Sequence, residues 1–136
     1  MSKAVLAATL AASFLMTQTA NAAGGKHAAI VVDANSGKVL YSDNADAPRH
    51  PASLTKMMTL YMLFEAMEAG RISRSTAVPI SKHAASMAPT KLGVKAGSSI
   101  TVETAILALV TKSANDAAAA SGELLGGSES RFAQMM

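Results

Sequence analysis

The sequence contains no cysteine, so disulfides and thiolate metal sites are excluded. It also has no tryptophan, and aromatics make up only 4% of its residues. There are no basic runs and no basic residues interleaved with aromatics. The formal net charge of +3 is therefore no argument for nucleic-acid binding, and no nucleic-acid partner is expected. The three histidines, His27, His50 and His83, are scattered without metal-ligand spacing, and neither a metal nor a cofactor is expected. Beyond the N-terminal segment, no apolar stretch is long enough to cross a bilayer. With 136 residues, the chain has room for one domain or part of one.

What is present begins with an export signature at residues 1–22. Lys3 supplies a positive start, and Ala4 to Met16 is a small-and-apolar run too short to span a membrane. Thr17 to Asn21 is polar, and Ala20-Asn21-Ala22 fits an A-x-A cleavage site. The mature chain would begin at Ala23, so residues 23–136 form the folded part, outside the cytoplasm.

His27 to Asp43 predicts a β-hairpin. Ala28 to Val32 and Lys38 to Tyr41 are β-rich, and Asn35-Ser36-Gly37 between them is turn chemistry, with Gly37 suited to positive φ. Asn44 to Pro51 predicts a loop. Ser53 to Ala69 predicts a helix, with Ser53 as N-cap and Gly70 just past its end. Apolar residues cover nearly its whole circumference, which predicts burial in the middle of a domain. Arg71 to Ser99 is broken by Pro79, Pro89, Gly93 and Gly97. Thr101 predicts the cap of a second helix that ends near Thr111-Lys112, with Glu103 in its first turn. A third helix is expected from about Asp116 to Leu125, broken by Gly126-Gly127. Ser128 suits the cap of a fourth. The pattern stops in mid-helix at Met136, and no further strand signal follows. A lone hairpin needs a larger sheet or a helix to cover it. The expectation is the front part of a longer protein.

Ser53-Leu54-Thr55-Lys56 carries the chemistry. The spacing puts hydroxyl and amine on one helical face, one turn apart. Lys56 is the only charge between Arg49 and Glu65. An amine in apolar surroundings favours its neutral form, and a neutral amine can take the serine's proton. As a mere cap the motif is unremarkable, but a first-turn lysine opposes the helix dipole. A second element is Ser113-Ala114-Asn115, at a junction between helices. It can present a hydroxyl for proton transfer and a carboxamide for a substrate amide. It also reads as a capping box, since Ser113 and Asp116 are spaced S-x-x-D. Ser42-Asp43-Asn44, Lys91-Leu92-Gly93 and Lys95-Ala96-Gly97 resemble related motifs and are read as turns.

The segment IVVDANSGKVLYS, Ile30 to Ser42, followed by PASLTKMMTLYMLFEAME and SAND, resembles the D-alanyl-D-alanine carboxypeptidases. These are low-molecular-mass penicillin-binding proteins among the penicillin-recognising serine enzymes. The resemblance covers about Lys26 to Met136. It implies an α+β fold of the β-lactamase/transpeptidase type, to which this chain contributes the hairpin and most of the helices. It implies that Ser53 forms the acyl-enzyme, Lys56 activates it, Ser113 relays the proton and Asn115 binds the substrate backbone. The substrate would be a peptidoglycan stem peptide ending in D-Ala-D-Ala, and β-lactams would acylate Ser53 as covalent inhibitors. Members often carry a C-terminal amphipathic anchor, through which the resemblance implies association with a membrane.

The family's third motif, K-T-G or K-S-G on a strand, is absent from the sequence. It binds the substrate carboxylate, and its strand supplies an oxyanion donor. This polypeptide alone is therefore expected to be inactive. Two rival readings share the motifs. A class A β-lactamase would have S-D-N where this chain has Ser113-Ala114-Asn115, and a deacylating glutamate. A penicillin-binding sensor or scaffold would acylate without turnover. A plain helical domain, with caps in place of motifs, is the reading without chemistry.

Overall fold

The computed structural model describes residues 27–136. The export signature at 1–22 lies outside these residues. The chain divides into two compact units, Met1–Arg49 and His50–Met136.

In the first unit, β1 (Ala29–Val32) and β2 (Val39–Asp43) pair antiparallel, with Ala29 opposite Asp43 and Val31 opposite Tyr41. A bulge follows Val31. The turn is closed by Asp33, whose carboxylate accepts from the Ser36 N–H (2.8 Å) and from its hydroxyl (2.5 Å). Those bonds lower the Asp33 pKa. Gly37 takes φ +70° as the turn requires. Ile30, Val31, Leu40 and Tyr41 are all at least half exposed. A two-stranded ribbon leaves both of its faces open, and here both carry apolar side chains.

The second unit opens on a 3-10 turn (Ala52–Leu54) that runs into α1 (Thr55–Glu68). Then come β3 (Ala77–Pro79), α2 (Lys82–Ser86), β4 (Ser99–Thr101), α3 (Val102–Lys112), α4 (Asn115–Gly126) and α5 (Glu129–Met135). Strands β3 and β4 pair antiparallel, Val78 opposite Ile100. Sequence reading missed them because each is three residues long, too short for alternation to register, and one contains Pro79. The caps fall where the sequence placed them later in the chain. Thr101 Oγ1 accepts from Thr104 N, and Ser128 Oγ accepts from Arg131 N. Gly70, just past the C-cap of α1, has φ +68°.

Two expectations for α1 need correction. Ser53 is not its N-cap. The 3-10 turn extends the helix backwards from Pro51, Leu54 N donates to Pro51 O (3.1 Å), and neither element carries a side-chain cap. Nor is α1 buried all round. Thr59, Met62, Leu63 and Ala66 are buried, while Met57 (66%), Tyr61 (62%) and Phe64 (51%) stand open. Within this unit α1 packs one side on α3 and α4, and no described element of the unit covers the other.

The core gathers Leu63 from α1, Val78 and Ile80 around β3, Ala84 from α2, Val102, Ala105 and Leu109 from α3, and Ala119 and Ala120 from α4. Small residues let α4 lie among its neighbours at close range. A Cβ on Gly126 would sit 2.7 Å from the Phe132 backbone nitrogen, and one on Gly122 would sit 2.9 Å from the Phe132 ring. Helix propensity alone predicts that Gly126→Ala gains about 1 kcal/mol. The clash with backbone should outweigh it, for a net loss of about 1–3 kcal/mol. A urea denaturation midpoint of the intact G126A protein equal to or above wild type would show that α5 does not need this close approach.

Candidate active site

The backbone of the Ser53 motif is shaped by what precedes it. Ala52 takes φ +51°, a left-handed conformation that a residue with a Cβ enters at a cost of about 1–2 kcal/mol. Ser53 follows, exposed within the 3-10 turn, its hydroxyl not engaged in capping. Lys56 lies in the first turn of α1 and is half-buried.

The second motif forms a tight corner. Ser113 ends α3 with φ +52°, again left-handed without being glycine. The Ala114 N–H closes the corner by donating back to Ala108 O (3.2 Å). Asn115 is the first residue of α4. The capping box does not form, because the N-cap of α4 is Ala114, with no side-chain bond. Ser113 is instead the left-handed C-cap of α3, and the Asp116 carboxylate is bonded elsewhere.

The fold brings two of the four expected residues into direct contact. Lys56 Nζ donates to Asn115 Oδ1 at 2.7 Å, across 59 positions of sequence. The same carboxamide donates through Nδ2 to Ala88 O (2.8 Å). Each end keeps one further hydrogen-bonding position. Lys56 and Asn115 line a cleft of about 280 Å³ together with Thr55, Thr59, Met87 and Phe132. Ser53 and Ser113 are not among its walls. They adjoin it along the chain, three residues before Lys56 and two before Asn115. The lysine's setting is thus mixed, with a carboxamide partner, threonines and the acidic Glu129 in the cleft lining beside the apolar walls.

Sequence reading did not find the segment that backs this site. Residues 88–94 cross the α3–α4 corner, where Asn115 N donates to Thr90 O (2.7 Å). Asp116, 1% exposed, accepts from Leu92 N (2.8 Å) and Ala117 N (2.9 Å) on Oδ1 and from Gly93 N (2.8 Å) on Oδ2. The available signal was an acid leading a run of four alanines, a place where helix formation does not ask for a buried charge. Of the look-alikes, Ser42-Asp43-Asn44 falls on β2 and its end and not in a turn, Lys95-Ala96-Gly97 runs into a turn, and Lys91-Leu92-Gly93 lies in irregular backbone and not in a turn. Among the described residues no group of three or more His, Asp or Glu could hold a metal ion, and no helix is long and apolar enough to cross a membrane.

Helices with two small antiparallel sheets make this part of an α+β domain. Residues 15–136 match the D-alanyl-D-alanine carboxypeptidase family, and the chain belongs to it. It is 35% identical over 119 residues to the D-alanyl-D-alanine carboxypeptidase DacF of Bacillus subtilis, covering 88% of this chain and 31% of that protein. To DacA of Escherichia coli it is 40% identical over 113 residues, covering 79% and 28%. The crystal structure of the carboxypeptidase DacD from Francisella tularensis superposes with a TM-score of 0.74 at 37% identity, over 79% of this chain and 26% of that one. The chain thus spans less than a third of these relatives' length. The likeness carries the expected fold type with it.

Burial alone would raise the Asp116 pKa. The N–H groups of Leu92, Gly93, Ala117 and Val94 outweigh it and hold the value below the ordinary 3.8. A folded-state pKa below the unfolded one stabilises the protein above pH 3.8, and that contribution disappears as pH falls through the lowered value. Asp116→Asn should cost about 1–3 kcal/mol at neutral pH. Melting temperatures of the two proteins should converge as the pH drops below 3.8. A gap that persists unchanged into strong acid would exclude the carboxylate charge as its source.

Proposed function

We propose that the protein carrying this chain is an exported serine-type D-Ala-D-Ala carboxypeptidase, acting on peptidoglycan stem peptides. Ser53 Oγ attacks the carbonyl of the penultimate D-alanine as Lys56 takes its proton. The tetrahedral intermediate collapses, the peptide C–N bond breaks, and the terminal D-alanine leaves with a proton relayed through Ser113. Water then hydrolyses the Ser53 ester and restores the hydroxyl. The Ser53 N–H and the N-terminal end of the helix favour the developing oxyanion. A β-lactam opens its ring on the same serine and stays attached. Asn115 serves twice, orienting the amine and offering its remaining positions to the substrate backbone.

The observation that carries this reading is the 2.7 Å Lys56–Asn115 hydrogen bond. It joins two motifs that, read as caps alone, have no reason to meet. Left-handed backbone at Ala52 and at Ser113 supports it, since strain of this kind collects at functional sites. Family membership supports the same reaction. Substrate carboxylate binding falls to a third motif, K-T-G or K-S-G, which this sequence does not contain. Turnover is accordingly expected of a polypeptide that supplies one, and residues 23–136 alone should release no D-alanine.

Intact-protein mass spectrometry after benzylpenicillin treatment tests the assignment. Wild type should gain one penicilloyl group on Ser53, and Ser53→Ala should gain none. Lys56→Met should lose acylation while keeping or raising its stability, because a partly buried amine is replaced by an apolar chain of similar length. Full acylation of the Met variant would sink Lys56 as the base. Acylation of wild type without D-alanine release by the intact protein would mark a binding protein rather than a hydrolase. Export is checked separately, by N-terminal sequencing of the secreted protein, which should begin at Ala23.

A further inference from the structure

Asn115 can present either end of its carboxamide to Lys56, and only one of them is useful. With Oδ1 toward the amine, the contact is donor to acceptor. With the amide reversed, Nδ2 would face a protonated amine donor to donor, or occupy the lone pair that a neutral amine needs to take the serine's proton. What selects the useful end is the Ala88 carbonyl, which accepts from Nδ2 at 2.8 Å. Whatever fixes the Ala88 carbonyl therefore fixes Lys56.

Ala88 belongs to a segment with no regular structure, between α2 and β4, and Ala88 to Lys91 are exposed. Such a segment holds its place only through its anchors. Thr90 is tied by Asn115 N. Leu92 packs on Ala108, Ala114 and Ala117. The strongest anchor is the Asp116 carboxylate, which takes the N–H groups of both Leu92 and Gly93 at 2.8 Å. Hydrogen bonds to a charged acceptor are roughly twice as strong as neutral ones.

A first-turn acid can also serve its own helix. Here one of the three bonds does so, to Ala117 N, and two leave the helix for the 88–94 segment. A buried charge among alanines is explained by the segment it holds.

We infer that Asp116 is a positioning residue for acylation at Ser53. By pinning Leu92 and Gly93 it keeps the Ala88 carbonyl on Asn115, and through Asn115 it keeps the Lys56 amine in place. This inference rests on the function proposed above.

The test is Asp116→Asn in the intact protein, with two readouts. Amide hydrogen exchange should show Leu92 and Gly93 losing protection while α3 and α4 keep theirs. Benzylpenicillin should still acylate the same fraction of chains at saturation, but with a second-order rate constant lower by roughly 10- to 100-fold, the scale of a small misplacement of reacting groups. Asp116→Ser, smaller and also uncharged, gives the same readouts if the Asn variant does not accumulate. A reduced acylated fraction with an unchanged rate constant would mean that Asp116 serves folding alone, and the inference fails. It fails equally if Leu92 and Gly93 are unprotected in wild type, or stay protected in the variants. If wild type is not acylated at Ser53 at all, the proposed function falls and the positioning role with it. An acylated wild type with an unaffected variant overturns the positioning role alone.

Discussion

Helix α4 touches α1, α2, α3, α5 and β3, and it can do so because it is thin. Ala117, Ala119, Ala120, Ser121, Gly122 and Gly126 are all buried in it. Alanine and glycine leave so little side-chain bulk that several neighbours approach its backbone at once, each filling space that a larger residue would claim. Phe132 from α5 fills the room above Gly122 and Gly126. The same thinness brings Lys56, near the start of α1, within hydrogen-bond reach of Asn115, the first residue of α4. Close packing of one small-residue helix is thus the condition for both core and site.

A crowded helix start creates a polar problem. The first N–H groups of α4 meet those of Leu92 and Gly93, from the crossing 88–94 segment, at a partly buried corner, where unpaired polar groups are costly. Asn115 and Asp116 answer it jointly. The asparagine donates from backbone and side chain to the segment's carbonyls, and the aspartate accepts from the segment's N–H groups. No described buried side-chain nitrogen or oxygen is left without a partner. The residues that solve this packing problem are the neighbours and members of the proposed catalytic set, so structure and chemistry share atoms here.

Two further ties join the helical layer, and one of them holds Glu129, which also lines the Lys56 cleft. Ser81 caps α2 by accepting from Ala84 N and donates its own proton to Glu123 of α4 (2.9 Å). His83 meets Glu129 of α5 at 2.7 Å. The Ser81–Glu123 bond is part-buried, whereas His83 and Glu129 are about half exposed, and ion pairs of that kind contribute little to stability. They select how α2 and α5 lie on α4, while apolar contact around Leu63, Val78 and Leu109 supplies the driving force.

The sequence by itself determined the elements with strong local signals: the hairpin with its Gly37 turn, the caps at Thr101 and Ser128, and the helix end at Gly70. Capping and turn formation involve groups within a few residues of one another, so their energetics are written locally. It also determined the pairing of Ser53-x-x-Lys56 with Ser113-x-Asn115 and, with it, the family. What depended on distant partners could not be read. Whether Ser53 caps α1 turned on the 3-10 turn built from Pro51. Which face of α1 is buried turned on where α3 and α4 lie, since an apolar residue on every side gives periodicity nothing to report. Strands of three residues exist only because their partner is there. Asp116 looked like one half of a capping box, and only the tertiary structure sent its carboxylate to Leu92 and Gly93, because the N–H groups that most need an acceptor arrive from more than twenty residues away.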